Sequence, residues 1–208
     1  MTTRSRKQYL PIQIRVADRG VLVIGATRCV QGKLSSLRQT GARITVVTNG
    51  DMAPSIERLA RAGQINVHRR RCRLSDLRNK VLVFWDPSEP LTEGFLRKVL
   101  AQGIPLCKVD RPAESTFISP AVVWLSDLSI AFGTGGISPG LLKILRRDLS
   151  RSFSDARLAE FLRRLETLRA SLPEGARSAG MRKAVSGFGV DVALRFPAWL
   201  EDRRGPKR

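Results

Sequence analysis

GVLVIGATRCVQGKLSSLRQTGARITVVT, residues 20–48, is the stretch from which the rest of the chain is read. Residues 21–24 are an unbroken apolar, largely β-branched run, the pattern of a strand buried on both faces. Gly25 follows where such a strand turns sharply into a helix. Residues 29–39 place Val30, Leu34 and Leu37 on one helical face. Gly41 closes that helix, and residues 44–47 form a second apolar strand. Strand, glycine turn, helix, glycine, strand predicts a Rossmann-like unit, in which a helix N-terminus can face a dinucleotide diphosphate.

The phosphate-binding form of this turn is G-x-G-x-x-G or A. Here it reads Gly25-Ala26-Thr27-Arg28-Cys29-Val30. Thr27 brings a Cβ where phosphate meets bare backbone, and Val30 is bulkier than the third position usually allows. No acidic residue ends the second strand, which finishes Val47-Thr48-Asn49-Gly50, so the usual ribose partner is missing. Two readings stay open. In one, Gly25, Ala26, Thr27, Arg28, Cys29, Asn49, Gly50 and Asp86 line a degraded NAD site that binds weakly. In the other, the turn belongs to a parallel α/β unit and binds nothing.

Composition narrows the classes further. The 208 residues are 42% hydrophobic, enough for a real core, and no apolar run is long enough to cross a membrane. The basic start, residues 1–7, is followed by no apolar signal core, so secretion is not expected. Cys29, Cys72 and Cys107 are an odd, scattered set with neither metal nor disulfide spacing, which suits a reducing cytoplasm. A formal charge of +19, from 37 basic and 18 acidic residues, favours a polyanionic partner. Arginines gather at Arg69-Arg70-Arg71 and Arg73, and at Arg146, Arg147 and Arg151. With only 6% aromatics and none interleaved, a stacking platform for nucleic acid is poorly supported.

Along the chain, residues 9–16 alternate and predict a first strand. After the central unit come a helix over 54–63, a strand at 65–67 followed by the lone His68, a short turn at 74–77, and a buried strand over 80–85. A helix over 92–102 and a last strand over 105–109 end at Asp110. This alternation argues for a parallel, right-handedly wound sheet. Residues 117–124 and 128–132 predict a strand pair. Residues 133–140 are rich in glycine and precede a helix over 141–149, an anion-receptive arrangement. Residues 155–172 repeat Leu158, Phe161, Leu162, Leu165, Leu168 and Leu172 at helical spacing, and a shorter helix is expected over 176–185. Residues 187–199 are expected to pack back through Phe188, Val190, Leu194, Phe196 and Trp199, leaving 201–208 as a polar tail.

The order and spacing of three motifs resemble the siroheme synthase N-terminal module, the precorrin-2 dehydrogenase and sirohydrochlorin ferrochelatase family. These motifs are Val109-Asp110-Arg111-Pro112, then Phe117-Ile118-Ser119-Pro120-Ala121, then Gly133-Thr134-Gly135-Gly136-Ile137-Ser138-Pro139. Tyr9-Leu10-Pro11-Ile12 and residues 41–47 add to the likeness. The resemblance covers about residues 8–170. It implies an α/β, Rossmann-like parallel-sheet domain (1–112), a small dimerisation region (113–145) and a helical C-terminal domain (146–200), assembled as a homodimer. The implied chemistry is NAD-dependent oxidation of precorrin-2 to sirohydrochlorin, in some members with Fe2+ insertion as a chelatase. The family's aspartate falls on Asp110, where a carboxylate at a strand end can move protons at pyrrole nitrogens. Thr134, Gly135, Gly136, Ser138, Lys143 and Arg146 are the expected groups for the tetrapyrrole carboxylates. The departures, at residues 25–30 and 84–88, both fall on the nicotinamide side. No bound metal, no membrane and no nucleic-acid partner is expected.

Overall fold

The computed structural model describes residues 9–125, 127–135 and 137–198. The chain divides into two units, Met1–Ser152 and Phe153–Arg208. In the first, β1 (Gly20–Ile24), β2 (Arg43–Thr48), β3 (Asn66–Arg69), β4 (Lys80–Trp85) and β5 (Leu106–Lys108) form one parallel sheet in the order β3-β2-β1-β4-β5. All five residues of central β1 are buried, because helices cover both faces. On one face Val21, Val23, Val46 and Phe84 cluster with Leu34 and Leu37 of α1 (Gln31–Arg38) and Ile56 of α2 (Pro54–Arg61). On the other, Leu22, Ile24, Val47 and Val83 cluster with Phe95 and Val99 of α3 (Glu93–Ala101) and with Leu77 from a 3-10 turn. The sheet is doubly wound, as the alternation of strands and helices predicts. β1 pairs with β2 on one side and β4 on the other, so the winding reverses there and opens a crevice above their C-terminal ends.

Both sheet edges are managed. β3 carries Arg69 and leads into Arg70 and Arg71, charges that discourage pairing with another chain. Beyond β5 the chain doubles back: the Thr116 N–H donates to the Leu106 carbonyl at 2.8 Å. The Leu106 N–H donates to Thr116 Oγ1, also at 2.8 Å. Phe117 then meets Phe84 edge-on, with ring centroids 5.5 Å apart.

Part of the arginine cluster is internal structure. Arg70 binds Asp76 through two nitrogens, at 2.7 and 2.8 Å, and Arg69 reaches Glu57. The Arg70 guanidinium holds the Asp76 carboxyl down at about 2, helped by the Arg73 N–H and against the effect of burial. Stability from a depressed carboxylate pKa is present above the unfolded value, near 3.8, and fades as pH falls toward about 2. Asp76→Asn is therefore expected to lower the melting temperature at neutral pH, by a margin that shrinks between about pH 4 and pH 2. A margin that stays constant over that range would assign the cost to packing instead.

The first unit ends with an antiparallel hairpin, β6 (Ala121–Leu125) and β7 (Leu128–Phe132), with α4 (Pro139–Ser152) packed on β6. The second unit holds α5 (Ala156–Ser171), capped by Asp155, and α6 (Glu174–Ala184). Its apolar stripe from Leu158 to Leu172 is half-buried, and none of its described residues is fully buried.

Three expectations fail. Residues 9–16 form no strand, and Leu10 and Ile12 are 82% and 69% exposed. Their alternation suits a strand, but among the described residues no sheet edge pairs with them. The strand expected over 117–124 begins only at Ala121, because Phe117 is spent on Phe84. Residues 187–197 form no regular element. Phe188 stacks on Phe161 at 5.2 Å, but Val190, Leu194 and Phe196 are exposed. Trp199 and residues 201–208 lie outside the described residues.

Candidate active site at the C-terminal crest of the sheet

β1 runs straight into Gly25, whose φ is +92°. A Cβ at this position would lie 2.3 Å from the Asp86 Cβ and 3.0 Å from the Glu89 Cγ. Crowding by the loop after β4 therefore dictates glycine here, independently of any ligand. The Asp86 N–H donates to the Ile24 carbonyl at 2.7 Å, pinning that loop against the turn.

The turn's polar groups are occupied from within. Asp86, only 2% exposed, accepts from the Thr27 N–H at 3.1 Å and from the Thr27 hydroxyl at 2.6 Å through one oxygen. Its other oxygen accepts from the Ser88 N–H at 3.0 Å and the Ser88 hydroxyl at 2.8 Å. Burial pushes this carboxyl up, but the hydrogen bonds from Thr27 and Ser88 outweigh it and leave the pKa below the ordinary value. Asp86 is thus an anion at neutral pH. Glu89 occupies the backbone donors at the end of β2 in a similar way. One of its oxygens accepts from the Asn49 N–H at 2.9 Å, the Gly50 N–H at 3.0 Å and the Thr48 hydroxyl. Its carbonyl accepts from the Trp85 indole at 2.7 Å.

The other predicted positions fall around this crest. Ala26 is buried, and its carbonyl accepts from the Ala53 N–H at 2.9 Å. Val30 is wholly buried in the core with Val21 and Val23, so its bulk packs the helix onto the sheet. Arg28 points outward and is exposed. The Cys29 thiol is pushed up to about 11, chiefly by burial, with the charges of Asp86 and Asp110 adding to it. It stays protonated at neutral pH and is no nucleophile.

Asp110 follows β5 and is exposed. It occupies the left-handed region, φ +58°, in a turn closed by the Arg111 N–H donating to the Lys108 carbonyl at 3.1 Å. Glycine is the usual residue there, so the chain holds a carboxylate at some conformational cost. Next to it, the Lys108 ammonium lies 4.3 Å from the centre of the Trp85 ring and pairs with Glu114.

The glycine-rich turn after β7 folds as a helix cap. The Ser138 N–H donates to Thr134 Oγ1 at 3.1 Å, and Ser138 Oγ accepts from the Leu141 N–H at 3.1 Å. Gly135 takes φ +65°. Lys143 and Arg146, one helical turn apart on α4, are exposed and free of ion pairs among the described residues. Gly136 lies outside those residues. Glu89 was missed by sequence reading: nothing in its own neighbourhood announces a partnership with β2.

A surface recess of about 320 Å³ lies elsewhere, between α2 and β3, and its arginines, Arg61 and Arg69, are both tied to Glu57. Among the described residues no group of three His, Cys, Asp or Glu side chains is placed to hold a metal. None of the described helices is long and apolar enough to cross a membrane.

A doubly wound sheet with a glycine turn at its switch point defines a Rossmann-type dinucleotide-binding module. The chain belongs to the family described as "Putative NAD(P)-binding", whose model matches residues 12–121, and through it to the siroheme synthase N-terminal module family. It is 37% identical over 144 residues to the siroheme synthase of Pseudoalteromonas atlantica, covering 68% of this chain and 31% of that protein. It is 30% identical over 199 residues to the siroheme synthase of Thioalkalivibrio sulfidiphilus, covering 95% and 38%. The chain thus spans 31% and 38% of the length of these curated relatives. Among solved structures it resembles SirC, a precorrin-2 dehydrogenase, with a TM-score of 0.65 at 20% identity, covering 86% of this chain and 90% of that one.

Against that family, the crest fits a dinucleotide diphosphate poorly as folded. The Thr27 N–H, at the turn that would face the diphosphate, and the Asn49 and Gly50 N–H groups, at the ribose end of β2, already bind carboxylates.

Proposed function

We propose that this chain is a cytoplasmic precorrin-2 dehydrogenase that oxidises precorrin-2 to sirohydrochlorin in siroheme biosynthesis, with NAD(P) as the oxidant. The observation that carries the reading is Asp110, held at positive φ beyond β5 and close enough to the glycine turn for its charge to act on Cys29. In this reading Asp110 exchanges protons at pyrrole nitrogens. The Thr134–Ser138 turn with Lys143 and Arg146 holds the substrate's carboxylates. Anaerobic incubation with precorrin-2, with and without NAD, tests it: sirohydrochlorin should form only with the dinucleotide.

The carboxylates on the crest favour a second reading, in which the chain keeps the tetrapyrrole site and acts as a chelatase with Fe2+ as substrate. Iron insertion into sirohydrochlorin, with no oxidation of precorrin-2, would select it.

Neutralising Lys143 and Arg146 together is expected to weaken tetrapyrrole affinity by about tenfold or more at low salt, and by less at high salt, because exposed charges are screened. Duplex DNA run beside the tetrapyrrole addresses the rival use of the +19 charge. Tight DNA binding without tetrapyrrole binding would overturn the reading.

A homodimer is part of the proposal. It is supported by the half-buried apolar stripe of α5 and by a two-stranded hairpin that exposes Trp124. An identical chain can cover both surfaces symmetrically, giving a dimeric mass by light scattering at micromolar concentration. A monomeric mass that does not change with concentration would remove the dimer from the proposal.

A further inference from the structure

We infer that Asp86 and Glu89 form a built-in anion plug, and that a dinucleotide enters the crevice only by displacing them. The inference rests on the reading above that the crest is where the dinucleotide belongs.

Three observations converge on it. Each carboxylate is buried yet bonded to groups that a dinucleotide would otherwise meet: Asp86 to the Thr27 N–H at the diphosphate turn, and Glu89 to the N–H groups of Asn49 and Gly50 at the ribose end of β2. Both crowd Gly25, the glycine that makes the tight turn, within 2.3 and 3.0 Å of where a Cβ would stand. Both come from the single loop after β4, so one loop movement withdraws them together. The donors therefore exist, but the chain's own anions hold them. An incoming diphosphate meets two problems at once: its hydrogen-bond donors are taken, and fixed negative charges lie within a few ångströms in a poorly screened crevice.

The same contacts explain how the turn keeps its shape without the second and third glycines. Thr27 is tolerated because its hydroxyl has an acceptor in Asp86 rather than a phosphate to avoid. Thr27 at the second glycine position and Asp86 in the loop after β4 are two parts of one arrangement.

The test is equilibrium binding of NAD by calorimetry at fixed ionic strength, a readout independent of turnover. The proteins compared are wild type, Asp86→Asn, Glu89→Gln and the double variant, each checked for folding by its melting curve. Removing one fixed charge beside a diphosphate is expected to tighten binding by about tenfold, and removing both by more. Glu89→Gln keeps an oxygen for Asn49 and Gly50 and leaves the Thr27 contact intact, so it decides the matter alone if Asp86→Asn fails to fold. Micromolar wild-type binding that neutralisation weakens would make the two acids ligands and overturn the plug. Folded variants whose binding is unchanged would overturn it too. Tightened NAD binding without oxidation of precorrin-2 would support the plug while removing the dehydrogenase reading.

Discussion

Replacing Asp110 with glycine is expected to cut turnover of the tetrapyrrole by about 10²–10⁴-fold, the range for loss of a positioned proton carrier, with little change in tetrapyrrole affinity. Glycine is the informative choice because of the backbone. At φ +58° an aspartate sits where glycine is at ease, so the substitution relieves strain and should leave the melting temperature equal or higher. A residue kept for folding would show the opposite pattern. Asp110→Asn should be as inactive as the glycine variant, since it keeps the size and loses the proton chemistry. Activity within a few-fold of wild type in either variant would remove Asp110 from the mechanism, whichever reaction the chain performs.

Gly25→Ala is expected to lower stability by about 2–5 kcal/mol, the combined scale of a left-handed backbone strain and an overpacked contact. The added methyl would stand 2.3 Å from the Asp86 Cβ, far inside any real contact. Because the closest clash is with a Cβ, Asp86→Ala cannot relieve it, whereas Asp86→Gly removes it and leaves the strain and the 3.0 Å contact with the Glu89 Cγ. Urea unfolding of the two double variants separates these contributions. Equal losses in both would mean that the loop after β4 moves aside freely.

The parallel sheet was readable because both of its periodicities lie within short windows. β1, β2 and β4 are apolar runs, and the helices that follow β1 and β4 repeat Leu34 and Leu37, or Phe95 and Val99, on one side. β4 was placed to the residue. Residues 9–16 misled because alternation describes a strand's faces and not its neighbours. The same gap explains Glu89: its partners, Thr48, Asn49 and Gly50, lie far back in the chain, at the end of a strand that β1 separates from β4 in the sheet. Val30 was read as too bulky for close packing of the helix, and it serves as core packing. Thr27 was read as an obstruction to phosphate, and its hydroxyl proves to be a donor to Asp86. Pattern reading found the positions at the crest but not the signs of their interactions, which depend on the side chains facing them.

The strand order also governs how this chain comes into being. β1 is synthesised ahead of both its partners, and one of them, β4, emerges only after β2, α2 and β3 have been made. Until then the most apolar strand in the molecule has one flank satisfied and the other open, a template for any passing chain. Closing that gap brings together segments distant in sequence, which slows the step relative to local hairpins and helices. A nascent chain stalled before Lys80 should therefore be sticky and dependent on chaperones, and one stalled after Thr116 should not.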